Sequence, residues 1–514
     1  MAPGNDLPNI GFHVSASLDH PQVTQAATAN PADPVAPRRK PLPSLPHLLF
    51  ARKIPLWRLL AIIAAAGGVL LATKPVSDPD IFWHIRLGDL IRQTGVPHRE
   101  LWSYPILGNP WHPTAWLTDV LLSALHDVGG WRAIVAFKVV ASAGILVLLY
   151  RQVIPRARAE ITAPVFVIAL ASVGVFFSER PQMLSFLLVL LVGPWAVRLA
   201  TTGHWRAWPW VGITYLWCNV HGWWVLGPAL LGLAAVSWVV QSRFSRSSVG
   251  TLTKAAGTAL IAVLTTLATP VGPALTLQPL AVHAIAPEIT EWQPTSLLGN
   301  APLGYALLLL CLVVSWALVP PKQVGLLVFC LAAIGFSLIA VRNVAPVTLL
   351  LAPIVAQAAG AAFGPLLERR PQSLVPLWVG VAAAIGTAGL VTTAAFARPA
   401  VDPTIPWRIL HQLDALPAPK HVVADFLVSG VITGEVPSAS VAMDTRVDNY
   451  SLAYTHEYLA MLRMGPDWRQ TFAKAHPDYV VLLDDSGLRA YLEHDRHWVV
   501  MTRDNGFVLL RPPQ

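Results

Sequence analysis

Charge is what this 514-residue sequence lacks most: only 12% of its residues are Asp, Glu, Lys or Arg. Soluble globular domains carry about 25%, so a water-facing surface along the whole chain is excluded. Cysteine is also scarce. The three present, Cys218, Cys311 and Cys330, all fall in apolar stretches, which leaves no disulfide framework and no cysteine-based zinc site. Acidic residues are thin before the C-terminal region. From Arg398 onward there are 11 basic and 14 acidic residues, against 25 basic and 14 acidic before it. The net charge of +8 therefore marks no nucleic-acid surface. The excess lies in the apolar part, where loop charge orients helices.

What abounds is apolar sequence, 54% of the chain. Apolar runs recur at the roughly 17–25 residues a bilayer requires. They lie near 54–73, 131–150, 162–178, 183–201, 207–219, 222–240, 255–270, 301–319, 323–341, 344–362 and 374–396. This pattern predicts an all-α polytopic membrane bundle of about 11 transmembrane helices. The stretch 207–240 reads either as two spans or as one broken element. Residues 1–50, rich in Pro, Ala and Asn, read as a disordered cytoplasmic arm followed by an uncleaved first span. Residues 51–397 form the transmembrane domain, and 398–514 a small soluble α/β domain. In the latter, strands are expected at 422–424, 441–443, 479–483 and 498–502, a helix over 451–464, and a hairpin turn at Asp504-Asn505-Gly506.

One set of alternate loops collects Arg38, Arg39, Lys40, Arg52, Lys53, Arg151, Arg156, Arg158, Arg198, Arg206, Arg243, Arg246, Lys254, Lys322, Arg369 and Arg370. On the other side, 271–300 has no Lys or Arg at all. The positive-inside rule places the N-terminus in the cytoplasm and the tail outside. The first outer loop, about 74–130, is longer than a bundle connection needs. Its amphipathic stretches 81–94 and 115–128 read as helices in the outer interface.

Polar clusters gather at the outer ends of the spans. They are Ser77-Asp78-Pro79-Asp80 with Trp83-His84, Glu179-Arg180-Pro181-Gln182, Trp217-Cys218-Asn219-Val220-His221-Gly222, Glu288 with Glu291-Trp292-Gln293, and Arg342-Asn343. Ionisable groups near membrane depth are costly and line working cavities, so five clusters on one face predict a shared cavity. Each has a second reading. Asp78 before Pro79 fits a helix N-cap, Arg180 and Arg342 could snorkel to headgroups, His84 and His221 could be packing residues, and the tryptophans could form an interfacial belt. Together, two carboxylates, two arginines and tryptophan suit a phosphorylated lipid and a sugar. Arginine grips phosphate bidentately, indole faces match a pyranose, and a carboxylate can deprotonate a hydroxyl or hold a divalent cation.

In chain order, Asp78-Pro79-Asp80, Trp83-His84, Gly88, Gly95-Val96-Pro97, Ser103-Tyr104, Trp111, Trp116-Leu117, Arg180-Pro181-Gln182, Trp217 with Asn219-Val220-His221-Gly222, Glu291-Trp292-Gln293, Arg342-Asn343 and the tail's Asp444, Arg446, Asp448 and Tyr450 resemble bacterial GT-C-type membrane glycosyltransferase-like proteins. The resemblance runs from the first span to the C-terminus. It implies inverting transfer of a sugar from a polyprenyl-phosphate donor to an envelope glycan, lipid or protein, on the outer side of a bacterial plasma membrane. It maps a catalytic acidic pair onto Asp78 and Asp80, with Asp80 favoured as the base because Asp78 has the stronger capping role. Arg180 and Arg342 would hold the donor phosphate. Trp83, His84, Asn219, His221, Glu291, Trp292 and Asn343 would shape the cavity. A Mg or Mn ion on Asp78 and Asp80 is left open. The sequence departs from better-understood branches in that Pro79 splits the acidic pair and no long outer repeat or lectin module is evident. Two other classes stay open. One is a transporter or flippase of a lipid-linked precursor, although inverted repeats and paired breaks are expected there and only one break is seen. The other is a noncatalytic assembly subunit that presents the tail.

Overall fold

A computed structural model describes residues 52–277 and 289–513; the predicted arm and Glu288 lie outside the described residues. The apolar part consists of α1 (Leu56–Leu71), α2 (Asp80–Thr94), α3 (Trp116–Val153), α4 (Ala159–Val173), α5 (Gln182–Thr202), α6 (Ala207–Val220), α7 (Leu226–Gln241), α8 (Arg246–Leu264), α9 (Leu303–Leu318), α10 (Val324–Ile339), α11 (Val344–Leu367) and α12 (Leu377–Ala397). Among the described residues, 7 helical stretches are long and apolar enough to cross a membrane, those built on α3, α4, α5, α7, α8, α11 and α12. Three more predicted runs, α1, α9 and α10, fold as apolar helices of only 16 residues. Another, α6, has 14. At about 1.5 Å per residue these fall short of a core roughly 30 Å thick. The apolar runs overstate helix length because flanking residues such as Pro302 and Ala340 are apolar yet extended.

Two expected features take definite form. The interfacial stretch 115–128 continues into the following span as α3, but the helix breaks at Gly129–Gly130, where Gly130 has φ 56°. A side chain would be strained there, so the glycine pair divides the interfacial half from the spanning half. The stretch 207–240 is two helices, α6 and α7, separated by an extended His221 and a 3₁₀ turn at Gly222–Val225.

At the centre of the bundle, α11 is buried almost continuously from Val344 to Ala359, against α4, α5 and α9. By contrast, α12 buries only Gly380, as suits an apolar helix solvated by lipid. The short strands β1 (Lys53–Pro55) and β2 (Leu374–Pro376) pair antiparallel and join the start of α1 to the start of α12.

The tail comprises α13 (Trp407–Ala415), β3 (Lys420–Ala424), α14 (Phe426–Glu435), β4 (Ala439–Val441), α15 (Leu452–Leu462), α16 (Trp468–Ala475), β5 (Tyr479–Leu483), α17 (Gly487–His494), β6 (Val499–Asp504) and β7 (Phe507–Arg511). The sheet order is β4-β3-β5-β7-β6, parallel across β4-β3-β5 and antiparallel thereafter. Asn505 and Gly506 both have positive φ (48° and 79°), the hairpin turn expected from the sequence. The second strand ends at Val441 rather than 443 because the Ala442 carbonyl accepts from Ser103 Oγ and Tyr454 Oη instead of a neighbouring strand.

The tail shares a core with the first outer loop. Val76, Ile81, Phe82 and Ile85 pack with Val428, Val431 and Ile432 of α14 and with Val422, Val481 and Leu509 of the sheet. This contact requires small residues. A Cβ on Gly434 would lie 2.5 Å from the Phe82 backbone, and one on Gly430 would lie 2.8 Å from the Pro79 carbonyl. Thus α14 sets the position of the chain at Asp78–Asp80.

A buried charge cluster completes the docking. Arg446 donates to both oxygens of Glu100 (2.9 and 2.9 Å) and to Asp444 (2.5 Å). Its guanidinium packs against Trp102 and Trp111, 4.7 and 4.8 Å from the ring centres. Glu100 also accepts the backbone N–H groups of Trp102 and Ser103. Burial pushes the Glu100 carboxyl up, but Arg446 and these N–H groups outweigh it and hold the group below its ordinary 4.5.

Two predictions follow from this contact. Gly434→Ala overpacks the α14–α2 contact at a cost of about 1–3 kcal/mol, so it lowers the thermal unfolding temperature in detergent. Gly389→Ala, on α12 with open space around it, does not. Equal temperatures for the two variants would remove the close approach from the account. For Glu100, whose folded value is depressed, the stabilisation is complete above the ordinary 4.5 and lost only as pH falls beneath it. Hydrogen exchange at 100–111 therefore stays slow from neutral pH to about 5 and accelerates below 4.5. Arg446→Met leaves two buried carboxylates unpaired, costs about 3–5 kcal/mol, and speeds exchange at neutral pH.

Candidate active site

The site is built around the turn between α4 and α5. Glu179, almost fully buried, faces back into the protein. Its Oε1 accepts the backbone N–H groups of Ser77 (2.8 Å) and Asp78 (3.0 Å), and its Oε2 pairs with Lys138 Nζ at 2.9 Å. The backbone ahead of α2 is thereby fixed. The next residue, Arg180, faces the opposite way. Its Nε donates to Asp78 Oδ2, its Nη2 lies 3.1 Å from Asp80 Oδ2, and its Nη1 lies 3.5 Å from Glu291 Oε1. Burial weakens a guanidinium's hold on its proton, but Asp80 and Asp78 outweigh this and raise its pKa, so Arg180 is a fixed cation.

Asp78 caps and pairs at once: Oδ1 accepts the Asp80 N–H at 3.1 Å while Oδ2 meets Arg180. Asp80 accepts from Trp83 Nε1 at 3.3 Å through its own Oδ1, and that indole N–H also lies 3.2 Å from Thr445 Oγ1 of the tail. Each carboxylate therefore turns one oxygen to Arg180 and the other to an N–H. As arranged, the pair supplies two counter-ions to one guanidinium. Among the described residues, no group of three or more His, Cys, Asp or Glu is placed to hold a metal.

Arg342 lies at the break between α10 and α11. Its guanidinium is 4.9 Å from the Trp223 ring centre and 4.3 Å from that of Trp292. Nη1 is 3.7 Å from Glu291 Oε1, while Nε is buried without a partner. Asp448 of the tail lies within electrostatic range of it. A single oxygen of Glu291 is thus shared by two arginines.

The other expected residues separate into neighbours and braces. His84 is buried beneath the Trp83 ring (3.7 Å between centres), with Nδ1 2.6 Å from Asp119 Oδ1. His221 Nδ1 is 2.8 Å from Ser185 Oγ, which accepts from Trp217 Nε1. It lies within electrostatic range of Arg180 and Arg342. Asn219 accepts from Trp116 Nε1 and donates to the Tyr215 carbonyl, so its amide ties α3 to α6. Asn343 donates to the Phe336 carbonyl and braces the α10–α11 break. Direct contacts therefore join Asp78, Asp80, Trp83, Arg180, Glu291, Trp292 and Arg342. Glu179, Lys138, Asp119 and Thr445 support them and were not among the expected site residues. Glu179 was visible beside Arg180, whereas Asp119 had the appearance of a solvent-facing residue on an amphipathic helix.

No family model matches the chain, and no curated protein does. Among solved structures, the Archaeoglobus fulgidus oligosaccharyltransferase, determined with a tethered acceptor peptide, is similar with a TM-score of 0.50 and 13% identity, over 86% of this chain and 70% of that one. ArnT from Cupriavidus metallidurans in the apo state gives a TM-score of 0.48 at 16% identity, over 89% of this chain and 99% of that one. ArnT bound to undecaprenyl phosphate gives 0.44 at 14% identity, with the same coverage. At such identities the likeness concerns architecture. The chain thus shares the fold of the oligosaccharyltransferase, a bundle with helices long and apolar enough to cross a membrane.

Proposed function

We propose that the chain is an integral membrane glycosyltransferase that moves a sugar from a polyprenyl-phosphate donor to an extracytoplasmic acceptor. The observation that carries this reading is the Glu291 oxygen shared by Arg180 and Arg342, beside the Asp78–Asp80 pair. Two arginines converge on one anionic oxygen, and arginine is the side chain best matched to phosphate. Glu291 is about a third exposed, so it can rotate outward when a phosphate takes its place. The topology that goes with this has eleven crossings, α1, α6, α9 and α10 joining the longer helices, with the N-terminus cytoplasmic and the site on the outer side of a bacterial plasma membrane.

The reaction is a direct displacement with inversion. The acceptor oxygen bonds to the anomeric carbon as the bond from that carbon to the phosphate oxygen breaks. The acceptor proton passes to Asp80, and the polyprenyl phosphate departs with the bonding pair. The leaving phosphate gains a negative charge as it forms, and Arg180 and Arg342 stabilise that charge more in the transition state than in the donor. Trp292 and Trp223 keep Arg342 oriented, and Trp83 keeps Asp80 oriented. As Arg180 turns towards phosphate, an Asp80 oxygen is released to accept the proton. No step is routed through a metal.

The test is a purified full-length preparation incubated with a panel of polyprenyl-phosphate sugars and envelope extract, with glycosyl loss from the lipid followed by mass spectrometry. Asp80→Asn lowers transfer by about 10²–10⁴-fold, the usual contribution of a general base, in protein that remains folded in detergent. Undiminished transfer in that variant would assign the base elsewhere, and lipid movement without product in the parent protein would favour a transporter. Glu291→Gln removes the competing anion, so the KM for donor falls severalfold. Arg342→Gln raises it.

A further inference from the structure

A second polar opening lies at the end of the bundle away from Arg180. The helix α5 begins beside Arg180 at Gln182 and runs 21 residues to Thr202. Proline interrupts both it and the central helix α11, at Pro194 and Pro353. Proline has no N–H to give the carbonyl four residues earlier, which frees those of Leu190 and Leu349. The first is recovered by Gln152, whose Nε2 donates to the Leu190 carbonyl at 2.7 Å. Between the two helices a cavity of about 300 Å³ opens, at the lower end of the roughly 300–1,000 Å³ typical of ligand sites.

Its lining is mixed. Val189, Val197, Leu349 and Ile354 give it an apolar wall, glutamines and threonines add uncharged polar groups, and Arg156 and Arg198 bring two cations from different elements. Among the described residues neither guanidinium pairs with a carboxylate; Arg156 donates only to the Gln152 carbonyl through Nε. Nearby Arg158 differs, being held by Glu160 and the Leu367 carbonyl. Two unpaired arginines over an apolar recess in a membrane bundle match a phosphate carrying acyl chains. With no carboxylate in the lining, a headgroup ammonium would find no partner, which disfavours zwitterionic lipid.

We infer that this crevice between α5 and α11 is a binding site for one anionic phospholipid of the leaflet opposite the Asp78–Asp80 site, its phosphate on Arg156 and Arg198 and its chains against the apolar wall. It is independent of the chemistry proposed for the other end.

The full-length protein is reconstituted in nanodiscs of equal phosphatidylglycerol and phosphatidylcholine, and retained lipid is counted by native mass spectrometry. The parent retains one phosphatidylglycerol selectively. The double variant Arg156→Gln/Arg198→Gln lowers that selectivity at least tenfold, and Val197→Trp, which fills the recess and leaves both charges, does the same. Arg243→Gln/Arg246→Gln removes equal charge from the loop after α7, outside the lining, and retains the lipid. Equal loss in that control would assign the effect to bulk leaflet charge and overturn the site. So would undiminished retention in the first double variant, equal retention of phosphatidylcholine by the parent, or saturation by inorganic phosphate alone.

Discussion

A partly buried guanidinium needs anions, and Arg180, 29% exposed, receives three among the described residues. Leaving such a cation unpaired costs several kcal/mol, so the segments that carry its partners must converge. Asp78 and Asp80 come from the start of α2, and Glu291 from the segment before α9. Arg342 then joins through Glu291. The direct contacts thus set two cations against three carboxylates. An incoming phosphate adds a fourth anion, which the cluster can accept only if one carboxylate leaves or takes a proton. Glu291 is the most exposed of the three, and it is the one whose departure leaves the acidic pair in place.

A second buried arginine shows what a purely structural version of this chemistry looks like. Arg446 directs Nε and both Nη atoms to carboxylates at 2.5–3.1 Å, is 1% exposed, and packs against two indoles. At that burial no face of it is open to a ligand. Arg342 also packs against indoles, but among the described residues its paired carboxylate is 3.7 Å away and its Nε has no partner. Closed geometry marks a latch, and open geometry marks a place prepared for something else. The latch serves the open site: with the Gly430 and Gly434 contacts it holds the tail against α2, which brings Thr445 to Trp83 and Asp448 near Arg342.

Legibility in the sequence follows the range of the interaction. The break at Gly129–Gly130 and the hairpin at Asn505–Gly506 are local, since backbone sterics at those residues decide them; the hairpin was read from its residues, whereas the break was implied only by the gap between 115–128 and 131–150. Helix lengths were less so, because an apolar residue such as Pro302 counts towards a run without extending a helix. The joint placement of Asp78, Asp80, Arg180, Glu291 and Arg342 could be anticipated from shared topology, as each lies at the same end of its span. The difference between Asn219 or Asn343, which brace backbone, and Asp119, which orients His84, depends on tertiary partners and left no local trace. Gly430 and Gly434 lie one turn apart on α14, a helix not anticipated from the sequence, and nothing in the sequence identified the surface they meet.

Architecture alone leaves the chemistry open, because one fold hosts many functions. The choice between moving a sugar and moving a lipid-linked cargo rests instead on how the site is enclosed. Alternating access requires a site that opens in turn to either side, usually through discontinuous helices paired across a repeat. Here the end of the bundle that carries the site is held by docking of the tail, and the backbone at Ser77 and Asp78 rests on the buried Lys138–Glu179 ion pair. The central helix α11 is packed from Val344 to Ala359 on residues of α4, α5 and α9. Opening a path past the acidic pair would break the Lys138–Glu179 pair, which fits the proposed transfer better than transport.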